Sequence, residues 1–157
     1  MSDCCTISPG SQEKNHCLQC GQKGLLVELI TLKSLLIPKA MRRLDATQSY
    51  TFCRTQDCSV VYFSADKVFH KDDLVVPVFQ KETEESLPVC YCFGFSRHDI
   101  QDEIDTTGKS TLQQHISNYV RLQQCACELR NPQGRCCLGN VAAVIKEVSD
   151  KKTMSAT

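Results

Sequence analysis

No tryptophan occurs among the 157 residues, and only ten aromatic side chains are spread over them, six Phe and four Tyr. A chain of this length can bury one core or two small ones. With so few large rings, each half falls in the size range where bound metal commonly completes a fold. An excess of charge is also missing: 18 Lys and Arg balance 18 Asp and Glu, which gives no electrostatic case for nucleic acid or an anionic membrane. No apolar run approaches the roughly 20 residues that span a bilayer, and the first 15 residues have neither the basic nor the apolar region of a secretory signal. The expectation is a cytoplasmic protein with no nucleic acid partner and no membrane insertion.

Cysteine, by contrast, is abundant. The twelve fall into close pairs: Cys4/Cys5, Cys17/Cys20, Cys53/Cys58, Cys90/Cys92, Cys125/Cys127 and Cys136/Cys137. Adjacent or next-but-one cysteines are poor disulfide partners, since a bridge needs Cα atoms roughly 4.4–6.8 Å apart and a χ3 near 90°. Two thiolates turn readily toward one ion or cluster instead. In a reducing compartment dense cysteine points to metal ligation or redox chemistry rather than to six disulfides.

Along the chain, residues 1–15 are polar, contain Pro9 and Gly10 and read as a flexible tail. Residues 16–80 read as a β-rich unit. The apolar run Gly24–Leu32 opens it, and a short helix begins at Pro38. Strands are expected over Ser49–Arg54, Ser59–Phe63 and Leu74–Phe79, the last placed at a sheet edge because of Pro77. Residues 81–88 (KETEESLP) are charged, lack apolar periodicity and read as a linker. Residues 89–150 change to helical character. Ser96 caps a helix RHDIQDEID that Gly108 ends, and Ser110 or Thr111 starts a second with Leu112, Ile116, Tyr119 and Val120 on one face. Asn140 caps a third over Val141–Val148. Residues 151–157 read as a second tail. The fold class expected is α+β, a small β-rich subdomain followed by a helical subdomain.

In the first unit, Cys17-x-x-Cys20-Gly21 has the spacing of a zinc knuckle: two thiolates two residues apart reach one ion, and the glycine lets backbone amides turn toward sulfur. Cys53-x4-Cys58, between two expected strands, supplies a second pair, so Cys17, Cys20, Cys53 and Cys58 can close a tetrahedron around Zn2+. A competing view makes Cys53 and Cys58 buried small hydrophobes and Cys17/Cys20 a redox dithiol. His16 is an alternative fourth ligand.

In the second unit, Cys90-Tyr91-Cys92 precedes a helical pair, and Cys125, Cys127, Cys136 and Cys137 return after it, so that four sulfurs can meet at one cluster. A C-x-C before two helices, closed by cysteines over thirty residues later, resembles the bacterioferritin-associated ferredoxin type of [2Fe-2S] fold. The longer strings PVCYCFGFSRHDI, CACELRNPQGRCCLGNV, CLQCG and TFCRTQDCSVVYF resemble the cysteine-rich N-terminal domain of the CopZ copper chaperone family, over about residues 16–141. That family carries one zinc and one [2Fe-2S] cluster. The resemblance implies Cys90, Cys92, Cys127 and Cys137 as cluster ligands and Cys17, Cys20, Cys53 and Cys58 as zinc ligands, with swapped pairings within Cys125/Cys127 and Cys136/Cys137 left open. Pro132 and Gly134 supply the turn that folds Cys127 back toward the vicinal pair.

The full family proteins also carry an M-x-C-x-x-C copper loop, which does not occur in these 157 residues. The resemblance therefore implies one-electron transfer in copper or other soft-metal handling, including reduction of Cu(II) to Cu(I). Expected partners are a redox protein and copper or mercury ions or their transporters; no catalytic side chain is identified. Two other functions compete: a structural zinc-ribbon-like binding module, and a thiol metallochaperone using Cys4/Cys5 with Cys125 and Cys136. Gly108-Lys109-Ser110-Thr111 is not a phosphate loop, because Glu103 stands where the pattern needs its first glycine. With both groups bound, the formal charge falls from zero to about −4, and to −5 after one electron.

Overall fold

A computed structural model describes residues 15–155. The expected tail at 1–14, with Cys4 and Cys5, and residues 156–157 lie outside the described residues. The chain folds as α+β, with a four-stranded antiparallel sheet in its first half and helices in its second.

The sheet runs β1 (Leu25–Val27), β2 (Tyr50–Phe52), β3 (Val60–Phe63), β4 (Val68–His70) in spatial order. Its registers pair Leu25 with Phe52, Phe52 with Tyr62 and Tyr62 with Phe69. The apolar run from Gly24 divides in two, with β1 followed at once by helix α1 (Leu29–Leu35), and Pro38 opens helix α2 (Pro38–Met41) at its first position. All residues of β2 and β3 are buried. Tyr50, Phe52, Val61 and Tyr62 pack with Leu32, Leu35 and Phe69 in the main core. Val60 and Phe63 instead join Cys17, Cys53 and Cys58 in a separate cluster.

One expectation is corrected here. The edges of the sheet are β1 and β4, the latter reached by a tight turn in which Ser64 N–H donates to Lys67 O; the stretch 74–79 is no strand. It crosses to the helical side instead, with Val75 N–H donating to Leu35 O, and Pro77 has no N–H to offer a sheet ladder. The stretch 81–88 is packed at both ends: Lys81 closes a 3-10 turn (Phe79–Lys81) and is buried, and Pro88 starts strand β5 (Pro88–Cys90).

β5 pairs with β6 (Phe95–Ser96) to form the hairpin that carries Cys90 and Cys92. Ser96 caps α3 (Arg97–Thr107) as expected: its hydroxyl accepts from Asp99 N–H while Asp99 Oδ2 accepts from Ser96 N–H, a reciprocal capping box. Gly108 ends that helix with its N–H on Ile104 O. Helix α4 (Leu112–Arg121) buries Ile116, and α5 (Cys127–Arg130) is a single turn. Helix α6 (Leu138–Ser155) begins before Asn140, which is therefore inside it and donates to Gln133 Oε1 rather than capping. It also runs past Val148 through residues 151–155, read from sequence as tail; Lys151 Nζ meets Glu147, and Lys152 Nζ donates to Ile104 O near the end of α3. Val141, Val144 and Val148 pack with Ile100, Ile104, Ile116 and Val89 in the second core. No helix among the described residues is long and apolar enough to cross a membrane.

The two halves are bonded to each other at the segment following α4. Tyr62 Oη, from the middle of the sheet, donates to Pro132 O at 2.6 Å in a buried contact, and Thr31 Oγ1 of α1 donates to Glu128 O at 2.7 Å. Gln80 Nε2 donates to Gln133 Oε1 at 2.6 Å. Replacing Tyr62 by Phe leaves a buried carbonyl without its donor, and we expect a loss of about 1–3 kcal/mol. Urea unfolding should show a lower midpoint with unchanged slope.

Candidate metal centres

The first centre is built by turns that the local sequence dictates. Gly21, at φ +74°, closes the Cys17–Cys20 knuckle with its N–H on Cys17 O. Gln22 N–H then reaches the Cys20 sulfur; likewise the Thr55 amide reaches Cys53 and the Val60 amide reaches Cys58. Each of these three sulfurs is thus met by the amide two residues on. Cys53 follows β2 and Cys58 precedes β3, so the sheet register fixes one pair of sulfurs opposite the knuckle.

The sulfurs of Cys17, Cys20, Cys53 and Cys58 all lie within 4.8 Å of one another. Cys17–Cys58 is 3.8 Å and Cys20–Cys53 is 3.7 Å. A tetrahedron with Zn–S of about 2.3 Å has edges of about 3.8 Å, so the donor set fits a closed, structural zinc site. The His16 backbone forms an isolated β-bridge with Lys23 beside the knuckle.

Electrostatics say the same. Burial raises the Cys20 thiol, but hydrogen bonds from Thr55, the Gln22 amide and neighbouring thiols outweigh it and bring it to about 6. Burial pushes Cys58 up to about 12, helped by its hydrogen bond with Cys17 and the charge of Cys53, and burial raises Cys53 as well. Cys20 ionises easily while Cys53 and Cys58 resist, which is the condition a divalent cation relieves. Thr55, 3.2 Å from Cys20 Sγ, carried no signal in the spacing.

The second set is arranged differently. Cys92 Sγ lies 3.6 Å from Cys127 Sγ, and the Cys137 thiol hydrogen-bonds with both Cys127 and Cys90, giving a sulfur chain Cys92, Cys127, Cys137, Cys90. Among the described residues only the first quartet has three or more ligand atoms mutually within 4.8 Å, so this chain is elongated rather than gathered at a point. The shared Cys137 proton lowers Cys90 to about 7 and Cys127 to about 6, and these two partners in turn hold Cys137 protonated well above the thiol range. Burial pushes Cys92 up to about 12 although Ala126 N–H donates to its sulfur at 3.2 Å. The structure thus brings together the sulfurs of Cys90, Cys92, Cys127 and Cys137. Cys125 is half-buried and Cys136 exposed, and neither joins the hydrogen-bonded sulfur chain.

Several supports of this set were not foreseen from spacing. Tyr91, between Cys90 and Cys92, donates from its hydroxyl to Pro77 O and accepts from Phe79 N–H, strapping the hairpin to the crossing segment. Asn131 Nδ2 donates to Arg135 O, and Gln133 Nε2 donates to Cys136 O, closing the Asn-Pro turn as its composition suggests.

Comparison with known proteins follows this division. Residues 14–75 match the family zf_CopZ, described as "Zinc binding domain". The chain is 30% identical over 122 residues to the copper chaperone CopZ of Archaeoglobus fulgidus, a stretch covering 78% of this chain and 57% of that protein; the chain spans little more than half the relative's length. The X-ray structure of the Archaeoglobus fulgidus CopZ N-terminal domain superposes with a TM-score of 0.69 at 27% identity, covering 82% of this chain and 96% of that one.

Gly134 sits at φ +69° in the turn before Cys136 and Cys137, and a Cβ there would meet Thr31 Oγ1 at 2.9 Å. We expect Gly134→Ala to cost at least ~1–2 kcal/mol through the left-handed backbone alone. Gly139, in α6 with nothing within 4 Å of an added Cβ, is the control, and its alanine variant should be neutral or stabilising in the same denaturation experiment.

Proposed function

We propose, from the premise that this chain carries the CopZ-type zinc-binding domain within the fold of a CopZ N-terminal domain, that it is a zinc-pinned [2Fe-2S] protein for one-electron transfer in copper handling. The observation that carries the proposal is the elongated chain of four sulfurs at Cys90, Cys92, Cys127 and Cys137. Its extended shape suits two metal ions better than one, and two of its thiols are already lowered toward the thiolate form that iron requires.

Bound there, a [2Fe-2S] cluster supplies a reversible one-electron couple whose potential depends on hydrogen bonds to sulfur and on exposure. The chain's own residues set those terms. Ala126 N–H and the amides of Cys92 and Phe93 donate to the sulfurs of Cys92 and Cys90. Cys90 and Cys137 are buried, while Cys92 is half-exposed and lies on the side from which an electron enters or leaves. The substrate we assign is Cu(II), reduced to Cu(I) by one electron drawn from a redox partner in a reducing compartment. Copper or mercury transporters are the proposed recipients.

Purification without oxygen tests this. We expect one zinc, two iron and two acid-labile sulfides per chain, visible absorption, and an EPR signal after mild reduction. Zinc with neither iron nor sulfide overturns the cluster and leaves a structural zinc module. We further expect Cys92→Ser to lose iron and colour while keeping zinc, and Cys58→Ser to lose zinc; a variant pair in which both metals leave together contradicts the separate assignment.

A further inference from the structure

Lys81 opens the charged stretch 81–88 and would be expected at the surface, yet the side chain is buried, with 5% of the residue exposed. Its Nζ donates to Thr55 O at 2.7 Å and to Cys58 O at 2.9 Å, the carbonyls of two residues in the loop that carries the Cys53/Cys58 pair. Glu82, its sequence neighbour, pairs with Lys71 instead, and among the described residues no carboxylate lies within 4.0 Å of Lys81 Nζ. Two carbonyl dipoles satisfy hydrogen bonds but carry no net charge. A buried ammonium without a counter-charge is costly, and a surface exit is open to lysine's long stem in most folds.

The missing negative charge is the metal site itself. Four thiolates around one Zn2+ carry a formal charge of −2, held beside the apolar Val60 and Phe63, and the amide dipoles that reach three of the sulfurs carry no net charge to balance it. We infer that Lys81 is the buried counter-ion of the zinc tetrathiolate, contributed by the segment joining the two halves of the chain. The inference rests on the assignment of Cys17, Cys20, Cys53 and Cys58 as zinc ligands. It adds a residue that no ligand spacing could indicate and that a hydrogen-bonding role alone does not explain.

The test uses the full zinc-loaded chain in competition with a chromogenic chelator at fixed pH and salt. We expect Lys81→Met and Lys81→Gln to weaken zinc binding about 10–100-fold, the range typical of outer-shell partners. Lys81→Arg, which keeps the charge, should recover most of that loss. Lys81→Gln keeps a donor without charge, so wild-type affinity in it means a loop staple and overturns the inference. A second arm halves the site's charge with Cys17→His: a counter-ion predicts that Lys81→Gln costs less in that background, and an equal cost in both overturns it. If the wild type holds no zinc at this site, the ligand assignment fails; if it holds zinc and Lys81→Gln holds it as tightly, only the counter-ion fails.

Discussion

Four sulfurs, three of them from buried cysteines, held 3.7–3.8 Å apart along two edges are the constraint on which the first half depends. Thiolates so close repel one another, and thiols so close have few other acceptors. Cys17, Cys53 and Cys58 occupy the place that large apolar side chains would fill in a bigger domain, packed on Val60 and Phe63 from the sheet. The absence of tryptophan and the short strands leave little apolar area to replace them. Metal and hydrophobic core are therefore parts of one structure here, since strand register sets the sulfur positions and the ion, when bound, holds the register.

The second half leans on the first. Its one-turn helix α5 and the Asn-Pro turn carry little structure of their own, and both accept hydrogen bonds from the zinc-bearing half: Thr31 to Glu128, Tyr62 to Pro132, Gln80 to Gln133. Because Cys127 and Cys137 flank this segment, the positions of two of its four sulfurs are determined in part by α1 and β3. Two sulfur sets of different shape are thus mechanically joined without sharing a cysteine. Each set keeps one cysteine partly open, Cys20 in the compact one and Cys92 in the elongated one.

The sequence conveyed the parts whose chemistry is local. Cys17-x-x-Cys20-Gly21 specifies its own turn, Ser96 with Asp99 specifies a helix start, and the β-branched and aromatic run at Ser59–Phe63 specifies a buried strand. What it concealed was decided by distant partners. Leu74–Phe79 has strand composition, but its backbone is taken by α1, and Pro77 cannot complete a ladder. Lys81 looks like linker because charge in sequence says nothing about a counter-charge supplied by sulfur and metal. Tyr62 and Thr31 are ordinary core residues until the Pro132 turn is brought against them. Asn140 looks like a cap because the helix start at Leu138 depends on the turn Asn131–Cys137 rather than on a capping side chain.

Charge gives the last link between the two centres. The bare chain is neutral, and the proposed loaded chain is anionic by about four charges, nearly all of them at sulfur. Around the tetrathiolate three of the four cysteines are buried, and the amides that reach Cys20, Cys53 and Cys58 are joined by a buried ammonium at Lys81. Around the elongated set no buried lysine or arginine is present among the described residues, and amide N–H groups together with solvent at Cys92 are what meet the sulfurs. A fixed internal counter-charge favours permanent occupancy of one charge state. Dipoles and solvent, which respond less rigidly, leave room for the charge to change by one electron. The two sulfur sets therefore differ in the property that separates a structural ion from a redox centre, and that difference supports assigning electron transfer to Cys90, Cys92, Cys127 and Cys137 rather than to the knuckle.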